Sequence, residues 1–443
     1  MMTTKGIVRV QGARVIRRSN RRHYRAPLVC AVSLLLLAGL HACTNSTQGP
    51  PFPEAVAAER VPVTSPAQSA GSQPAARDAV TPAAAEPRQE PPAGRSVDPE
   101  AIEIGIAYGT EKRNWLEWAA QEFSTTEDGR RIRVNLLPFG SVEGARAVLN
   151  GDESIHVWSP ASGLYRGAFV RDWQYKYRRN PIISEDPLAM TPMVIVMWKE
   201  RYDAFTVKSP EVSLKTIFFA MRAKSGWGRI ANRPEWGLFK FGHTHPDQSN
   251  SGLVTLLILS HSYFDKTRML SVDDISSPRF HEYLAQFERG VTGLSNSTGV
   301  LMKEMIAKGP SGFDAVMVYE NLAIDFFRSG DSNSDKLQVI YPKTNLWNDH
   351  PYCILDTPWT TRKHQQAAEV FRNFLLSAPV QLRALDFGFR PGNAAVSVTG
   401  PDSPFEEYAS FGLHLDVEGL CEIPPVEVID GLQQVWLRHA VPR

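Results

Sequence analysis

The sequence predicts an α/β fold divided into two lobes. From residue 101 onwards, short apolar strands alternate with segments of helical periodicity, a pattern typical of a parallel sheet with helices packed on it. The 343 residues from 101 to 443 are enough to form two hydrophobic cores. The pattern changes after a bulky apolar strand at Met193–Trp198, which indicates that the second lobe begins there.

Each lobe has its own predicted elements. The first lobe alternates strand and helix: strand Ile102–Ala107, helix Trp115–Phe123, strand Ile132–Leu136, helix Val142–Leu149 and strand Ile155–Trp158. Later strands are expected at Ala315–Val318 and Leu337–Tyr341. Later helices are expected at Leu214–Met221, Gly252–Phe264, Phe280–Phe287, Gly299–Ala307, Leu322–Phe327, Gln365–Leu376 and Val380–Leu385.

Four polar loops follow predicted strands, which is where ligands bind in open α/β sheets. They supply the candidate ligand-binding residues Tyr108, Thr110, Ser159, Ser162, Ser249, Asn250, Ser251, Tyr319 and Asn321. Serine, threonine and asparagine are also common helix caps, so each loop taken alone is more simply explained by capping. The candidates therefore depend on the order of the loops along the chain.

The third loop lies in residues 238–259, which read LFKFGHTHPDQSNSGLVTLLIL and have two interpretations. Ser249-Asn250-Ser251-Gly252 before a long apolar run predicts a helix start, whose free N–H groups and dipole favour anionic oxygen atoms. His243-Thr244-His245-Pro246-Asp247 instead resembles the front half of the HxHxDH zinc motif of metallo-β-lactamase-type hydrolases. Gln248 stands where the next histidine of that motif belongs. We therefore favour the helix start and expect no metal site.

The first 43 residues are a predicted targeting segment. Eight basic residues lie before an apolar stretch from Pro27 to Leu40, and the segment contains no acidic residue. The apolar stretch is too short to remain as a membrane-spanning helix. The stretch ends Leu40-His41-Ala42-Cys43 and resembles a bacterial lipoprotein signal, although His41 is not the usual small residue. This resemblance implies that Cys43 carries a lipid and anchors the mature chain to a membrane. Thr44 is not acidic, as inner-membrane retention of such lipoproteins would require, so the outer membrane is favoured.

Residues 44–100 form a predicted disordered tether. Eleven prolines and twelve alanines occupy 23 of its 57 positions, and Phe52 is its one aromatic residue. The segment therefore cannot bury enough apolar surface to offset the entropy of ordering. Residues 101–443 carry 36 basic and 40 acidic side chains. This balance, with no basic run interleaved with aromatic residues, argues against nucleic-acid binding.

Cys353 and Cys421 are the two cysteines of the predicted folded part. In an oxidising compartment they have one possible pairing, and we expect them to form a disulfide, with two buried thiols as the alternative.

The order of these elements resembles the type 2 periplasmic binding protein fold, and within it the extracellular solute-binding proteins related to the molybdate-binding group. The segments that carry the resemblance are IEIGIAYG, IHVWSPAS, MTPMVIVMW, GHTHPDQSNSGLVTLL, AVMVYENLAI, YPKTNLWNDHPYCIL and FGFRPGN. The resemblance implies two lobes, 101–192 with 342–443 and 193–341, joined by two crossing strands. In molybdate- and sulfate-type relatives, hydroxyl groups and backbone N–H groups surround an oxyanion, and the matching positions here are Thr110, Ser159, Ser251 and Tyr319.

We therefore expect a lipid-anchored extracytoplasmic solute-binding protein, monomeric and without a cofactor, that delivers a small anionic or hydroxyl-rich solute to an ABC-type permease. Some members of the related group occur with von Willebrand factor A domains, so a protein with such a domain is another possible partner. Two alternatives remain: a ligand-sensing or docking module on the cell surface, and a zinc-dependent hydrolase that uses the HTHPD segment. No serine-hydrolase elbow, P-loop or dinucleotide fingerprint is present, so we expect no catalysis.

Overall fold

The structure is a computed structural model, and it describes residues 100–440. The predicted signal peptide, Cys43 and nearly all of the predicted tether lie outside the described residues. The strands are β1 (Ile102–Gly109), β2 (Ile132–Phe139), β3 (Val157–Ser159), β4 (Ile182–Pro187), β5 (Ala189–Trp198), β6 (Phe241–Thr244), β7 (Val291–Ser295), β8 (Ala315–Tyr319), β9 (Leu337–Ile340), β10 (Trp347–Asn348), β11 (Pro351–Leu355) and β12 (Arg390–Pro391).

Helices connect these strands, and within residues 100–440 no helix is long and apolar enough to cross a membrane. The helices are α1 (Arg113–Ser124), α2 (Glu127–Arg131), α3 (Ser141–Leu149), α4 (Arg166–Tyr177), α5 (Lys199–Thr206), α6 (Leu214–Met221), α7 (Trp227–Ala231), α8 (Asn250–Phe264), α9 (Val272–Ile275), α10 (Pro278–Glu288), α11 (Thr298–Lys308), α12 (Glu320–Arg328), α13 (Arg362–Leu375), α14 (Ala378–Asp386), α15 (Pro404–Glu407) and α16 (Val426–His439).

The first sheet has the order β2-β1-β3-β11-β4. Its first three strands are parallel, and β11 runs antiparallel to both β3 and β4. Helices α1, α13 and α14 cover one face, where their apolar side chains form a core with those of β1. The carboxyl ends of β1, β2 and β3 therefore lie along one edge, and the chain leaves them for α1, α3 and α4.

The second sheet has the order β10-β5-β8-β6-β7, with β9 and β12 also paired to β5. Strands β6, β7 and β8 are parallel, and β5 runs antiparallel to β8. Helix α8 packs on one face and is buried from Asn250 to His261, as expected for a helix that is apolar on every side. Helices α11 and α12 pack on the other face.

The sequence predicted two crossing strands, and the chain crosses between the sheets at two strand-to-strand connections and a third time where α14 of the first lobe leads into β12, which pairs with β5. The first crossing is at Leu188, between β4 of one sheet and β5 of the other, and the second is at Asp349-His350, between β10 and β11. These two crossings lie side by side, because the Leu188 N–H donates to the His350 carbonyl over 3.3 Å. The fold is thus the predicted two-lobed α/β fold. The lobe boundaries at 192/193 and 341/342 stay a prediction.

The C-terminal segment contacts the second lobe more than the first. Phe405 and Leu413 join the core of β5 and β8, and α16 packs on α9 and α10. One ion pair, Arg171 with Asp430, links α16 to α4 of the first lobe. Residues 404–440 therefore lie across both lobes, although the sequence assigned them to the first.

The predicted disulfide is wrong in this structure, because Cys353 and Cys421 are both free thiols. Cys353 is fully buried in β11 of the first sheet, between Trp158 and Glu185 in register. Cys421 lies beside the second lobe, where its backbone N–H donates to the Asn345 carbonyl. The two cysteines belong to different parts of the fold, which the spacing of two residues in a sequence cannot reveal.

Candidate functional site

A cavity of about 690 Å³ lies at the carboxyl ends of the strands, between the two sheets. The first lobe contributes residues of the β1–α1 and β2–α3 connections, and the second contributes the starts of α8, α11 and α12. Phe387 and Phe389, which follow α14, complete the lining. The cavity therefore lies where an open α/β sheet binds its ligand.

Five helices begin at this cavity. Residues of their first turns or N-caps line it: Arg113 and Asn114 of α1, Gly140 and Ser141 of α3, Ser249 and Asn250 of α8, Ser297 and Thr298 of α11, and Tyr319 and Asn321 of α12. The N-cap side chains of α8 and α12 make no capping hydrogen bond. Because each helix start carries partial positive charge, their convergence favours negatively charged groups of a ligand.

Neutral hydroxyl groups connect the helix starts of the second lobe. The Ser251 Oγ lies 2.6 Å from the Thr244 Oγ1 of β6, 2.5 Å from the Thr298 Oγ1 of α11, and 3.2 Å from the Ser249 Oγ. At Gly252, a β-carbon would lie 2.3 Å from the Thr244 carbonyl oxygen. This glycine therefore lets α8 begin directly against the end of β6.

Asn250 connects the two lobes beneath the cavity. Its Nδ2 donates to the Tyr319 hydroxyl over 2.8 Å and to the Asn348 Oδ1 over 2.9 Å, and its Oδ1 accepts from the Ser162 Oγ over 3.2 Å. Asn348 in turn donates to the Thr191 carbonyl over 3.2 Å. Both polar groups of the Asn250 side chain are thus bonded within the protein. This residue therefore holds Tyr319 and the neighbouring segments of both lobes in place around the cavity.

The structure brings five of the nine predicted ligand-binding residues to the cavity lining: Thr110, Ser249, Asn250, Tyr319 and Asn321. The other four take a different position from the one expected and lie behind the lining. They are Tyr108, which packs in the core of the first lobe, Ser159, which is fully buried at the end of β3, Ser162, which bonds to Asn250, and Ser251, which bonds to neighbouring hydroxyls. Strand ends alone could not distinguish side chains that face the cleft from those that face the core.

Sequence reasoning missed a buried ionised cluster on the first-lobe side. The Lys112 Nζ lies 2.8 Å from the Glu111 Oε1, donates to the Pro160 carbonyl over 3.1 Å, and lies 3.4 Å from the His350 Nδ1. Lys112 and His350 are fully buried, whereas Glu111 lines the cavity and its side chain is 11% exposed. Adjacent acidic and basic residues usually lie on a solvated surface, so the sequence carried no signal for this cluster.

The charges of this cluster depend on one another. Burial alone would raise the pKa of the Glu111 carboxyl, but Lys112 and His350 outweigh it and lower that pKa to about 2. Burial lowers the pKa of Lys112, and burial followed by the Lys112 charge lowers that of His350. His350 sits at the second crossing with φ of 41°. The cluster therefore joins the cavity lining to the crossing between the lobes.

The segment FGFRPGN is held against the start of α12. Arg390 makes a two-point ion pair with the buried Glu320, with distances of 2.7 and 2.9 Å. At Gly388, whose φ is +83°, a β-carbon would lie 2.7 Å from the Asn321 carbonyl oxygen. This close approach places Phe387 and Phe389 in the cavity lining beside Asn321.

The histidines of the HTHPD segment do not line the cavity. His243 is fully buried in β6, with its Nδ1 2.8 Å from the Thr244 carbonyl and its Nε2 3.3 Å from the Glu288 Oε1. The His245 ring meets the edge of the Trp436 ring at 4.8 Å. Across residues 100–440, no three His, Cys, Asp or Glu side chains are grouped closely enough to hold a metal ion. Both histidines thus pack within the protein.

The fold and the cleft together define a class of protein, the two-lobed type 2 periplasmic binding proteins. Residues 104–390 match the protein family described as bacterial extracellular solute-binding protein. The chain belongs to this family. Among curated proteins, no sequence matches the chain.

Solved structures share this fold at low sequence identity. A periplasmic thiamin binding protein has a TM-score of 0.53 at 12% identity, covering 76% of this chain and 97% of its own. Iron-bound HitA from Pseudomonas aeruginosa has a TM-score of 0.53 at 12% identity, covering 75% and 99%. A putative extracellular solute-binding protein from Bordetella parapertussis has a TM-score of 0.51 at 11% identity, covering 77% and 99%. At these identities the likeness shows the shared fold and does not indicate the ligand.

Proposed function

We propose that this protein is the solute-binding component of an ABC-type transporter and binds one small solute in the cleft between its lobes. The observation that carries the proposal is the cavity itself, which is lined by residues of both lobes and by the starts of five helices. A solute that touches both sides binds the closed arrangement more tightly than an open one and so favours closure. The hydroxyl and N–H groups of the lining favour a ligand with anionic or hydroxyl oxygen atoms.

The proposal includes the N-terminal anchor. A lipid on Cys43 would hold the chain at the extracytoplasmic face of a membrane, and the favoured membrane is the outer one. Residues 44–100 would then let the monomeric binding unit reach a permease. This part rests on the sequence alone. Replacing Cys43 by alanine should release the protein from the membrane fraction of the producing cells, and unchanged membrane association would contradict the anchor.

A thermal-shift screen of the full chain tests solute binding directly. Oxyanions, amino acids, sugars and metal ions are tested one at a time at equal concentration. A solute at a hundredfold excess over its Kd stabilises the folded state by about 2.7 kcal/mol, which is easily detected as a raised Tm. We expect at least one solute to raise the Tm, and a screen in which none does so would contradict the proposal.

A blocked cleft supplies the matched control. Gly299 lines the cavity, and a β-carbon added there meets no atom within 4 Å. Gly299→Trp should therefore fold while its ring fills the cleft, and the ligand-induced rise in Tm should disappear. Lys215→Trp, at an exposed position of α6, should retain that rise. If Gly299→Trp still binds the solute with unchanged affinity, the binding site lies elsewhere.

A further inference from the structure

The cleft contains hydrogen-bond acceptors as well as helix starts. Asn321 is 2% exposed, lines the cavity, and its Oδ1 has no hydrogen-bond partner among the described residues. A buried carbonyl oxygen without a donor destabilises the folded state. Its position at the cavity wall indicates that a donor comes from the bound solute.

Glu111 is a second acceptor in the cavity lining. Its contacts with Lys112 and His350 are both made by the Oε1 atom, so the Oε2 atom makes neither of these contacts. Glu111 is ionised at neutral pH, because its pKa is lowered to about 2. An ionised carboxylate that is nine-tenths buried binds a charged N–H donor more strongly than a neutral one.

A chain of contacts connects these two acceptors. The His350 ring lies against Glu111 on one side and meets the Phe389 ring at 5.1 Å on the other. Gly388, next to Phe389, packs against the backbone of Asn321. Glu111 and Asn321, which both line the cavity, are thus connected through the contact between His350 and Phe389.

Aromatic rings line the space around the acceptors. Trp115, Tyr319, Phe387 and Phe389 all contribute to the cavity lining, and the rings of Trp115 and Phe389 lie 5.9 Å apart. Aromatic faces attract cations in desolvated sites. A carboxylate, an unpartnered carbonyl and aromatic walls together form the environment that suits an ammonium group.

The size of the cavity favours an organic ligand. A volume of about 690 Å³ lies within the range of roughly 300–1,000 Å³ that holds organic ligands of drug size. An inorganic oxyanion at one helix start would occupy a small part of the cleft and would supply no N–H donor to the Asn321 Oδ1. The cleft has room for a ligand with two ends.

We propose that the solute is a small organic zwitterion, whose anionic end faces the starts of α3, α8 and α11 and whose ammonium end binds Glu111 and Asn321. This inference rests on the proposed solute-binding function and narrows it to one chemical class. The lining also carries Arg113, Lys303, Glu143 and Asp325, so both signs of charge are present around the cleft, as a zwitterion requires.

Matched pairs of compounds that differ only in the ammonium group test this class. The pairs are taurine with ethanesulfonate, phosphoethanolamine with ethyl phosphate, and β-alanine with propionate, and each is titrated into the full chain by calorimetry. We expect the ammonium-bearing member of at least one pair to bind at least tenfold more tightly than its partner. Equal or tighter binding by the ammonium-free member of every pair would overturn the proposal.

Two variants assign the preference to the named acceptors. Glu111→Gln should lower the affinity for the ammonium-bearing compound at least tenfold and leave the affinity for its ammonium-free partner unchanged. Asn321→Leu removes the other acceptor without leaving a charge unpaired, and it should weaken the same compound about tenfold. Glu103→Gln, at a half-exposed side chain of β1, should leave both affinities unchanged. A preference that survives in both acceptor variants would overturn the assignment.

The outcome separates this inference from the proposed function. If the solute screen finds a sugar, a metal ion or an inorganic oxyanion while none of the paired compounds binds, the proposal of a zwitterionic solute is wrong and the proposed solute-binding function stands. If neither the screen nor the pairs give binding, both are wrong.

Discussion

The two sides of the cleft are built from different chemistry. On the second-lobe side the bonded groups are uncharged: the Ser251 hydroxyl bonds to the hydroxyls of Thr244 and Thr298, and the Asn250 amide donates to the Tyr319 hydroxyl. On the first-lobe side, Lys112 and Glu111 form a buried ion pair beside His350. The neutral side positions backbone N–H groups, whereas the ionised side fixes one carboxylate at the cavity and joins it to a crossing between the lobes.

This difference has an energetic consequence. Neutral hydrogen bonds contribute modestly to stability, and removing one member of a buried pair costs about 1–3 kcal/mol. A buried charge whose partner is removed is much more costly, because it stays desolvated and unpaired. Substitutions in the first-lobe cluster of Glu111, Lys112 and His350 should therefore lower the free energy of unfolding more than substitutions among the second-lobe hydroxyl and amide groups.

The largest expected effect comes from Lys112→Met. This change leaves Glu111 buried beside His350 without its principal cation, and it should lower the free energy of unfolding by about 3–5 kcal/mol. Arg131→Met is the control, because the Glu127–Arg131 pair is mostly exposed and should contribute about 0.3–0.5 kcal/mol. Urea unfolding of both variants measures the difference, and similar losses in the two would contradict a buried ion pair.

An acid titration of stability should separate the two sides. The pKa of Glu111 is lowered in the folded state from 4.5 to about 2, so its contribution is complete above pH 4.5 and is lost as the pH falls towards 2. Over that interval we expect the wild type to lose on the order of 2–3 kcal/mol that Glu111→Gln does not lose. Ser251→Ala should keep the wild-type slope, since hydroxyl groups do not titrate there. Equal slopes in wild type and Glu111→Gln would show that Glu111 is not the titrating group.

The smallest of the three effects is that of Ser251→Ala at neutral pH. Loss of the shared hydroxyl leaves Thr244 and Thr298 without one partner each and should cost about 1–3 kcal/mol. Ser397→Ala, at an exposed loop position, should change the free energy of unfolding by less than about 0.5 kcal/mol. Thermal unfolding of the two variants side by side provides the comparison, and a neutral Ser251→Ala would mean that water replaces the lost hydroxyl.

Much of the fold could be predicted from the sequence, because long periodic segments specify their own structure. The helix predicted at Leu214–Met221 has those bounds in the structure, and the helix predicted from Gly252 begins two residues earlier. Strand β11 was missed because PYCIL is short, begins with proline and is paired only through distant partners. Helix α16 was missed although its apolar spacing was visible in the printed sequence.

The candidate site was harder to predict than the fold. Hydroxyl and amide residues after strands identified the second-lobe side, since helix starts require such residues. The Glu111–Lys112 pair could not be recognised, because its burial depends on His350 and Pro160, which lie far away in the chain. The sequence also could not show which side chains face the cavity: Thr110 lines it, whereas Tyr108, two residues earlier, packs in the core.

Hydrogen exchange of the full chain, with and without the tightest-binding solute from the screen, tests the central claim most directly. A solute held between the lobes should slow exchange at the helix starts of both sides together, in residues 110–115 and 140–144 of the first lobe and 249–253, 298–301 and 320–323 of the second. Gly299→Trp should abolish the protection in all five segments. Protection confined to one lobe, or located away from these helix starts, would contradict a binding site in the cleft.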